Sequence, residues 1–250
     1  MSLQDVKALT FDTGGTILDW HSGLKRALEE AGKKHGLQRD WHEITNSLRR
    51  RALSKILNLG EHGPPQYNFD DAQSMALDDL IAEHDLEPFT EEDRRAIAFD
   101  AMHNLDCWDD FPPILPRLRE TYICASFTVL SYRIIMDTAR RNNLSWDAVF
   151  SCEGIGKYKV LPEAYQTVSR RLQLQPSQLC MVACHNIDLD AARDVGFKTA
   201  YIRRPREWGG DVSPNGAPDP KHDIIADDFG TLADLLGVHS ICTDQYVSSP

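Results

Sequence analysis

Apolar and polar positions change rhythm twice along the chain. The run Val6-Lys7-Ala8-Leu9-Thr10-Phe11 is largely apolar and stops at Asp12, just before Gly14-Gly15. That is the pattern of a buried strand ending in a tight loop, with a carboxylate at its C-terminal tip. From Trp20 to about Asp110 the spacing is helical: Leu24, Ala27, Leu28 and Ala31 share one face, and Ala72, Met75, Ala76 and Leu80 share another. Thr90 with Asp93 reads as a capping box opening a further helix. Nothing in this block alternates like a strand, so it is predicted as a helical insertion, residues 19–110, closed by the Phe111-Pro112-Pro113 break. Beyond it, strands and helices alternate. Tyr122 to Leu130, Ala148 to Phe150, Cys180 to Cys184 and Lys198 to Ile202 read as strands, and Ile134 to Asn142, Pro162 to Leu172 and Leu189 to Val195 as helices. The alternation predicts an α/β protein with a parallel sheet covered on both faces, its active loops at the strands' C-terminal ends. The core would comprise residues 1–18 and 111–250, and the helical cap 19–110. The stretch from Arg204 to Asp223 is expected to be an ordered surface excursion and the tail after Gly237 peripheral.

Composition narrows the function classes. With 250 residues, 42% of them hydrophobic and 26% charged, the chain fits one large domain or two unequal ones. A net charge of -11 repels a phosphate backbone, so nucleic acid is not an expected partner. No stretch approaches the roughly 18 consecutive apolar residues of a membrane span, and Met1 to Lys7 lack a secretory apolar segment. A cytoplasmic protein without membrane contact is expected, and a homodimer is compatible with this. The six cysteines, Cys107, Cys124, Cys152, Cys180, Cys184 and Cys242, are dispersed without a CxxC element and read as reduced thiols. Cys180 and Cys184 bracket a strand-like run, where residues four apart share a face without meeting, so no metal is expected between them. No cofactor is expected either.

Polar groups recur at the predicted strand ends: Asp12, Ser131, Lys159, and the cluster Cys184, His185, Asn186 and Asp188. Brought to one edge, they would supply a nucleophile, an orienting hydroxyl, a neutralising cation and a second carboxylate to activate water. Each also has a plainer reading. Asp12 could be a turn residue and Ser131 a helix cap; Lys159 and its neighbour Lys157 could be solvated, and Arg49 to Arg51 a solvated helix face. Trp20, Trp41, Trp108, Tyr67 and Phe69 are read first as cap packing.

Four segments, in order, resemble the motifs of the haloacid dehalogenase superfamily. Phe11-Asp12-Thr13-Gly14-Gly15-Thr16-Ile17-Leu18-Asp19 is similar to the first motif and Val129-Leu130-Ser131 to the second. Gly156-Lys157-Tyr158-Lys159-Val160-Leu161-Pro162 is similar to the third, and Val182 to Phe197, with Asp188, Ala191-Ala192 and Gly196, to the fourth. The resemblance implies a Rossmann-like parallel-sheet core with an inserted helical cap. It also implies Asp12 as nucleophile, Lys159 and Ser131 as its supports, and Asp188 as a water-activating group; His185, in the strand-end loop beside Asp188, is read from its position as a candidate proton handler.

Departures from the motifs choose the branch. Phosphatases of this superfamily carry a second aspartate two residues after the nucleophile to protonate the leaving alkoxide; here the position is Gly14. A halide leaves as a stable anion without an acid. Cys184 stands where phosphatases keep an acid that helps hold magnesium, so the hard-oxygen site that ion prefers is under-supplied. The chain most resembles the (S)-2-haloacid dehalogenases, which implies a small halogenated carboxylic acid as substrate. Within Leu48-Arg49-Arg50-Arg51, Arg49 matches the arginine that holds the substrate anion, and Thr16, Tyr132 and Asn186 are further candidate substrate contacts. Gly14, Tyr132 and His185 each depart from that branch, which usually has an aromatic residue at the first position and asparagines at the other two. Two other readings stay open at this stage: a phosphatase of the same fold acting on a small phosphate ester, and a catalytically weak protein that binds small carboxylates.

Overall fold

The computed structural model describes residues 3–214 and 216–238. β1 (Ala8–Phe11) leads through a short loop into the insertion: α1 (Trp20–Lys34), α2 (Trp41–Ile56), α3 (Phe69–Glu83), α4 (Glu91–Arg95) and α5 (Ala101–His103). A π-helical turn, Ala96–Asp100, joins the last two. The chain continues as α6 (Leu115–Arg119), β2 (Ile123–Thr128), α7 (Tyr132–Arg141), β3 (Ala148–Ser151), α8 (Cys152–Ile155) and α9 (Pro162–Leu172). It ends, among the described residues, with β4 (Leu179–Ala183), α10 (Asn186–Val195), β5 (Lys198–Ile202), β6 (Ile224–Ala226) and α11 (Phe229–Leu235).

The six strands form one sheet in the order β3-β2-β1-β4-β5-β6, and every pairing is parallel. Such a sheet is covered on both faces, which is why the strands read as near-continuous apolar runs; all of β1 and β4 are buried. β1 lies between β2 and β4, with Phe11 opposite Ser126 on one side and Val182 on the other. There the strand order reverses, and the crevice outside the strand ends at such a switch point is where open α/β sheets bind ligands. Asp12 is the first residue past β1, and its amide donates to Val182 O at 2.9 Å.

Capping residues set the helices of the insertion. Asp19 accepts from Ser22 N at the start of α1, Asp40 from Glu43 N at the start of α2, and Asn68 with Asp71 closes a capping box on α3. The expected Thr90–Asp93 box is present on α4. On α3 the apolar face is rotated from the sequence expectation: Ala72, Ala76, Leu77 and Leu80 are buried, while Met75 is 42% exposed. Entry to and exit from the insertion run side by side. Leu18 bridges Cys107, Asp19 N donates to Asp106 O at 2.9 Å and Trp108 N to Ile17 O at 2.8 Å. β6 and α11 were not anticipated, because Ile224–Ala226 is too short to show a period against the Pro- and Gly-rich stretch before it. The five cysteines among the described residues are free and buried; Cys242 and the tail beyond Val238 lie outside them.

Candidate active site

Asp12, Lys159 and Asp188 come together at the C-terminal edge of the sheet. Asp12 is buried at the tip of β1. Its Oδ1 lies 3.3 Å from Lys159 Nζ, and its Oδ2 accepts from Thr16 Oγ1 at 2.8 Å. Lys159 Nζ also donates to Asp188 Oδ2 at 2.6 Å and rests 4.6 Å from the centre of the Phe127 ring. Asp188, in the first turn of α10, accepts on its other oxygen from Tyr165 OH at 2.6 Å. Two carboxylates thus share one buried cation, and their environments separate them. Burial pushes Asp12 up, but Lys159, the hydrogen bonds from His185 and Thr16, and the His185 charge outweigh it and hold the carboxyl well below its usual range. Asp188 is raised, chiefly by burial, with the Asp12 charge adding to it against Lys159. Lys159 is raised, because its two carboxylates outweigh burial. Lys157 goes elsewhere: it donates to Gly60 O at 2.6 Å.

His185 lies between two acids. Nδ1 is 3.3 Å from Asp12 Oδ2 and Nε2 is 2.8 Å from Glu207 Oε1, with Cys184 Sγ 3.3 Å from the same nitrogen. Burial pulls His185 down, yet its surroundings hold it well above its ordinary value. The negative form of Cys184 would contribute to that rise, but burial raises the Cys184 thiol to about 11. At neutral pH, therefore, Glu207 and Asp12 are the charges that keep the imidazole protonated. Glu207 is buried, is held below its usual range by His185 against burial, and accepts from Trp20 Nε1 at 3.3 Å.

Arg49 enters from the insertion. Of the three consecutive arginines it alone is buried, while Arg50 pairs with Glu43 and Arg51 with Glu83 at the surface. Successive helical positions point about 100° apart, so one of three turns inward. Its guanidinium lies over Trp20 and Phe69, with Cζ 5.2 and 5.7 Å from the ring centres, and Nη2 donates to Gly14 O at 3.2 Å. Nε and Nη1 are buried without a partner. A Cβ at Gly14 would stand 2.9 Å from Nη2, so a side chain there would shift the end of the guanidinium. Gly15 has φ +98° and a Cβ there would strike the Glu207 carboxylate, so both its backbone and its neighbour require glycine. Asp12, Gly14, Arg49, Lys159, His185, Asp188 and Trp208 line a cavity of about 80 Å³, with Leu53, Leu57, Val129, Val160 and Ile187 as its apolar wall. It is small beside the roughly 300–1,000 Å³ of sites for drug-sized ligands.

Several expected contacts fall elsewhere. Ser131 caps α7, its Oγ accepting from Ile134 N at 3.3 Å. Tyr132 packs over Gly154, and its amide donates to Glu153 Oε2 at 3.0 Å, so its ring is not in the cavity wall. Asn186 holds the long loop instead, donating to Ala217 O at 2.8 Å and accepting from Asp219 N at 3.1 Å and His222 Nε2 at 3.0 Å. Thr16 is fully buried: its hydroxyl donates to Asp12 and accepts from Cys184 N at 3.0 Å, and it is not among the residues lining the cavity. Trp108 Nε1 donates to Gly15 O at 2.7 Å and fixes the loop after β1. The stretch after Arg204 is largely exposed, as expected, but Glu207 and Trp208 turn inward and are buried at the site. Neither was legible beforehand, since one Glu-Trp pair in a Pro- and Gly-rich loop has no period and no motif.

Comparison with known proteins gives the family. A family model described as haloacid dehalogenase-like hydrolase matches residues 6–196. The chain is 26% identical over 209 residues to (S)-2-haloacid dehalogenase 4A of Burkholderia cepacia, covering 81% of this chain and 85% of that protein. Among solved structures, the defluorinating L-2-haloacid dehalogenase Rha0230 is similar with a TM-score of 0.84 and 30% identity, over 93% of this chain and 95% of the other. The L-2-haloacid dehalogenase PA0810 is similar with a TM-score of 0.82 and 29% identity, over 92% and 99%.

Proposed function

The chain belongs to the haloacid dehalogenase-like hydrolases, and within that family we propose that it cleaves small 2-haloacids through an ester on Asp12. The observation that carries this reading is a buried, ionised carboxylate lining the same small cavity as Arg49, whose Nε and Nη1 are buried without a partner. A halogenated carboxylate entering there meets a cation for its negative end and a nucleophile for its carbon. The insertion, residues 19–110, acts as the cap that brings Arg49 over the core, residues 1–18 and 111–250. Free, buried thiols fit the cytoplasm as its compartment; among the described residues no helix is long and apolar enough to cross a membrane.

Asp12 attacks the carbon bearing the halogen. A C–O bond forms, the carbon–halogen bond breaks, and the halide leaves with the electron pair on the side away from Asp12. Lys159 keeps Asp12 ionised beforehand. Ester formation erases the charge on Asp12, and His185 loses one of the two carboxylates that keep it protonated. Its Nδ1 can then release its proton to solvent, accept one from the attacking water and hand that proton to the departing alkoxide, while Glu207 holds Nε2–H. Asp188, relieved of the like charge on Asp12, is the second group placed to handle that proton. Water adds to the ester carbonyl carbon, the ester C–O bond breaks at that carbon, and a 2-hydroxy acid and free Asp12 result. No step requires a metal. Ser131 acts on this site by fixing the start of α7.

Single-turnover hydrolysis of chloroacetate in heavy-oxygen water tests the covalent step. The label is expected in the Asp12 carboxylate and not in the glycolate. Label appearing first in the product would mean direct attack by water and would overturn the reading.

A further inference from the structure

Cys184 Sγ, His185 Nε2 and a carboxylate oxygen of Glu207 all lie within 4.8 Å of one another. The sulfur is 3.3 Å from Nε2 and 3.6 Å from Glu207 Oε2, and Nε2 is 2.8 Å from Oε1. A tetrahedral zinc ion with ordinary bond lengths holds such donors roughly 3.3–3.6 Å apart. The sulfur distances, to Nε2 and to Glu207 Oε2, already match, while Nε2 now bonds the other carboxylate oxygen, Oε1, so a small turn of the carboxylate and the opening of that hydrogen bond would admit the ion. We propose that Cys184, His185 and Glu207 form an inhibitory site for zinc or a similarly thiophilic divalent ion.

The donor chemistry is selective. One thiolate, one imidazole and one carboxylate suit zinc, whereas magnesium takes an octahedron of oxygens, so this set is not a magnesium site. Three protein ligands leave a fourth position open for water or an anion. The supporting shell is also in place. His185 presents its other nitrogen, Nδ1, to Asp12 Oδ2 at 3.3 Å, the carboxylate–histidine–metal arrangement that fixes a ligating imidazole. Trp20 Nε1 donates to Glu207 Oε1 at 3.3 Å and holds that carboxylate in place. His185 lines the cavity, which gives an ion its way in. On binding, the ion takes the place of the thiol proton and of the proton on Nε2; both leave to solvent, and no electron changes hands.

Inhibition follows because the ion captures the groups used in ester hydrolysis. His185 becomes a ligand at Nε2 with its Nδ1 proton committed to Asp12, and Glu207 is no longer free to hold it. This consequence rests on the dehalogenase reading, whereas the binding itself does not.

The test uses the full chain, freed of metal and titrated with cobalt(II) as a spectroscopic stand-in for zinc. One equivalent should give a thiolate-to-cobalt charge-transfer band and tetrahedral visible bands, both discharged by zinc. Cys184→Ser should lose the charge-transfer band, Glu207→Gln should weaken binding at least tenfold, and Cys242→Ser should keep the band. Circular dichroism confirms that each variant is folded. An octahedral spectrum without a thiolate band, or a band that survives Cys184→Ser or vanishes in Cys242→Ser, would overturn the site, as would Glu207→Gln binding as tightly as the unchanged chain. Halide release from chloroacetate should fall in step with zinc occupancy and return on chelation. Release that is unchanged by bound zinc would refute the inhibitory role alone, and a metal-free protein that releases no halide would count against the dehalogenase reading instead.

Discussion

Arg49 is where one side chain's orientation decides whether the insertion takes part in the chemistry. It is buried, stacked on Trp20 and Phe69, and presents two unpartnered nitrogens, while Arg50 and Arg51 are tied to surface acids. A lysine retains the charge but loses the planar fork and the stacking. Arg49→Lys should therefore lower kcat/KM for chloroacetate by roughly 30- to 1000-fold, the effect of about 2 to 4 kcal/mol of lost charge-assisted contact in a closed site. Arg51→Lys should remain within about twofold, as expected of an exposed ion pair. Steady-state kinetics of the two variants checks this, and equal losses would contradict the inward register of Arg49. Gly14 belongs to the same argument. Its carbonyl accepts from Arg49 Nη2, so the position that departs from the phosphatase acid lies directly under the guanidinium.

Helices of the insertion are held to each other and to the core by a few buried polar clasps. On α4, Thr90 caps the helix, and Asp93 accepts from Thr90, from Lys34 at 2.9 Å and from His35 at 2.7 Å, joining α4 to the end of α1. Thr90→Ala should cost about 1 kcal/mol in urea unfolding without altering halide release. His103 of α5 bridges Asp70 of α3 at 3.3 Å and Asp137 of α7 at 2.8 Å, so it ties the insertion to the core. Burial pulls His103 down, but the two aspartates outweigh it, and the folded value lies above the ordinary 6.5. A raised value stabilises the fold fully below 6.5 and loses that stabilisation as pH rises through the folded value. The stability gap between the unchanged protein and His103→Gln should therefore be widest near pH 6 and shrink on going alkaline. Urea midpoints across that range would show it, and a gap that does not vary with pH would mean that His103 acts by packing alone.

Across the whole molecule, the long loop after β5 acts as a strap. Arg204 holds Asp110 through two bonds of 3.0 Å and donates from Nε to Thr16 O at 2.9 Å, so one guanidinium joins the strap to the end of the insertion and to the loop that presents Asp12. Arg204→Lys cannot reproduce that fork and should destabilise the protein by about 2 kcal/mol in denaturant unfolding. It should also slow halide release, because the strap carries Glu207 and Trp208. Exhaustive chelation tests the chemistry at the same scale: halide release should persist or rise. If chelation abolishes it and magnesium restores it, the phosphatase reading would take precedence.

Much of the architecture follows from local rules. The apolar run ending at Asp12, the helical spacing from Trp20 onward, and the strand–helix alternation after Pro113 each report a backbone period, and period is a property of neighbouring residues. Asp12 was legible as the carboxylate ending the first apolar run, and Lys159 and Asp188 through the resemblance of their segments to family motifs. Arg49 was legible by register and then by burial. The tertiary structure decided what depends on contacts distant in sequence. It turned Ser131 to capping, Tyr132 onto Gly154 and Asn186 to the strap, though all three stand beside motif residues. It brought Glu207, 22 positions from His185, to within 2.8 Å of it. No local pattern encodes that meeting, because it depends on how β4, β5 and the returning strap are stacked in space. The physical reason is that a side chain's partner is set by the packing of whole elements, while its place in an element is set by the few residues on either side.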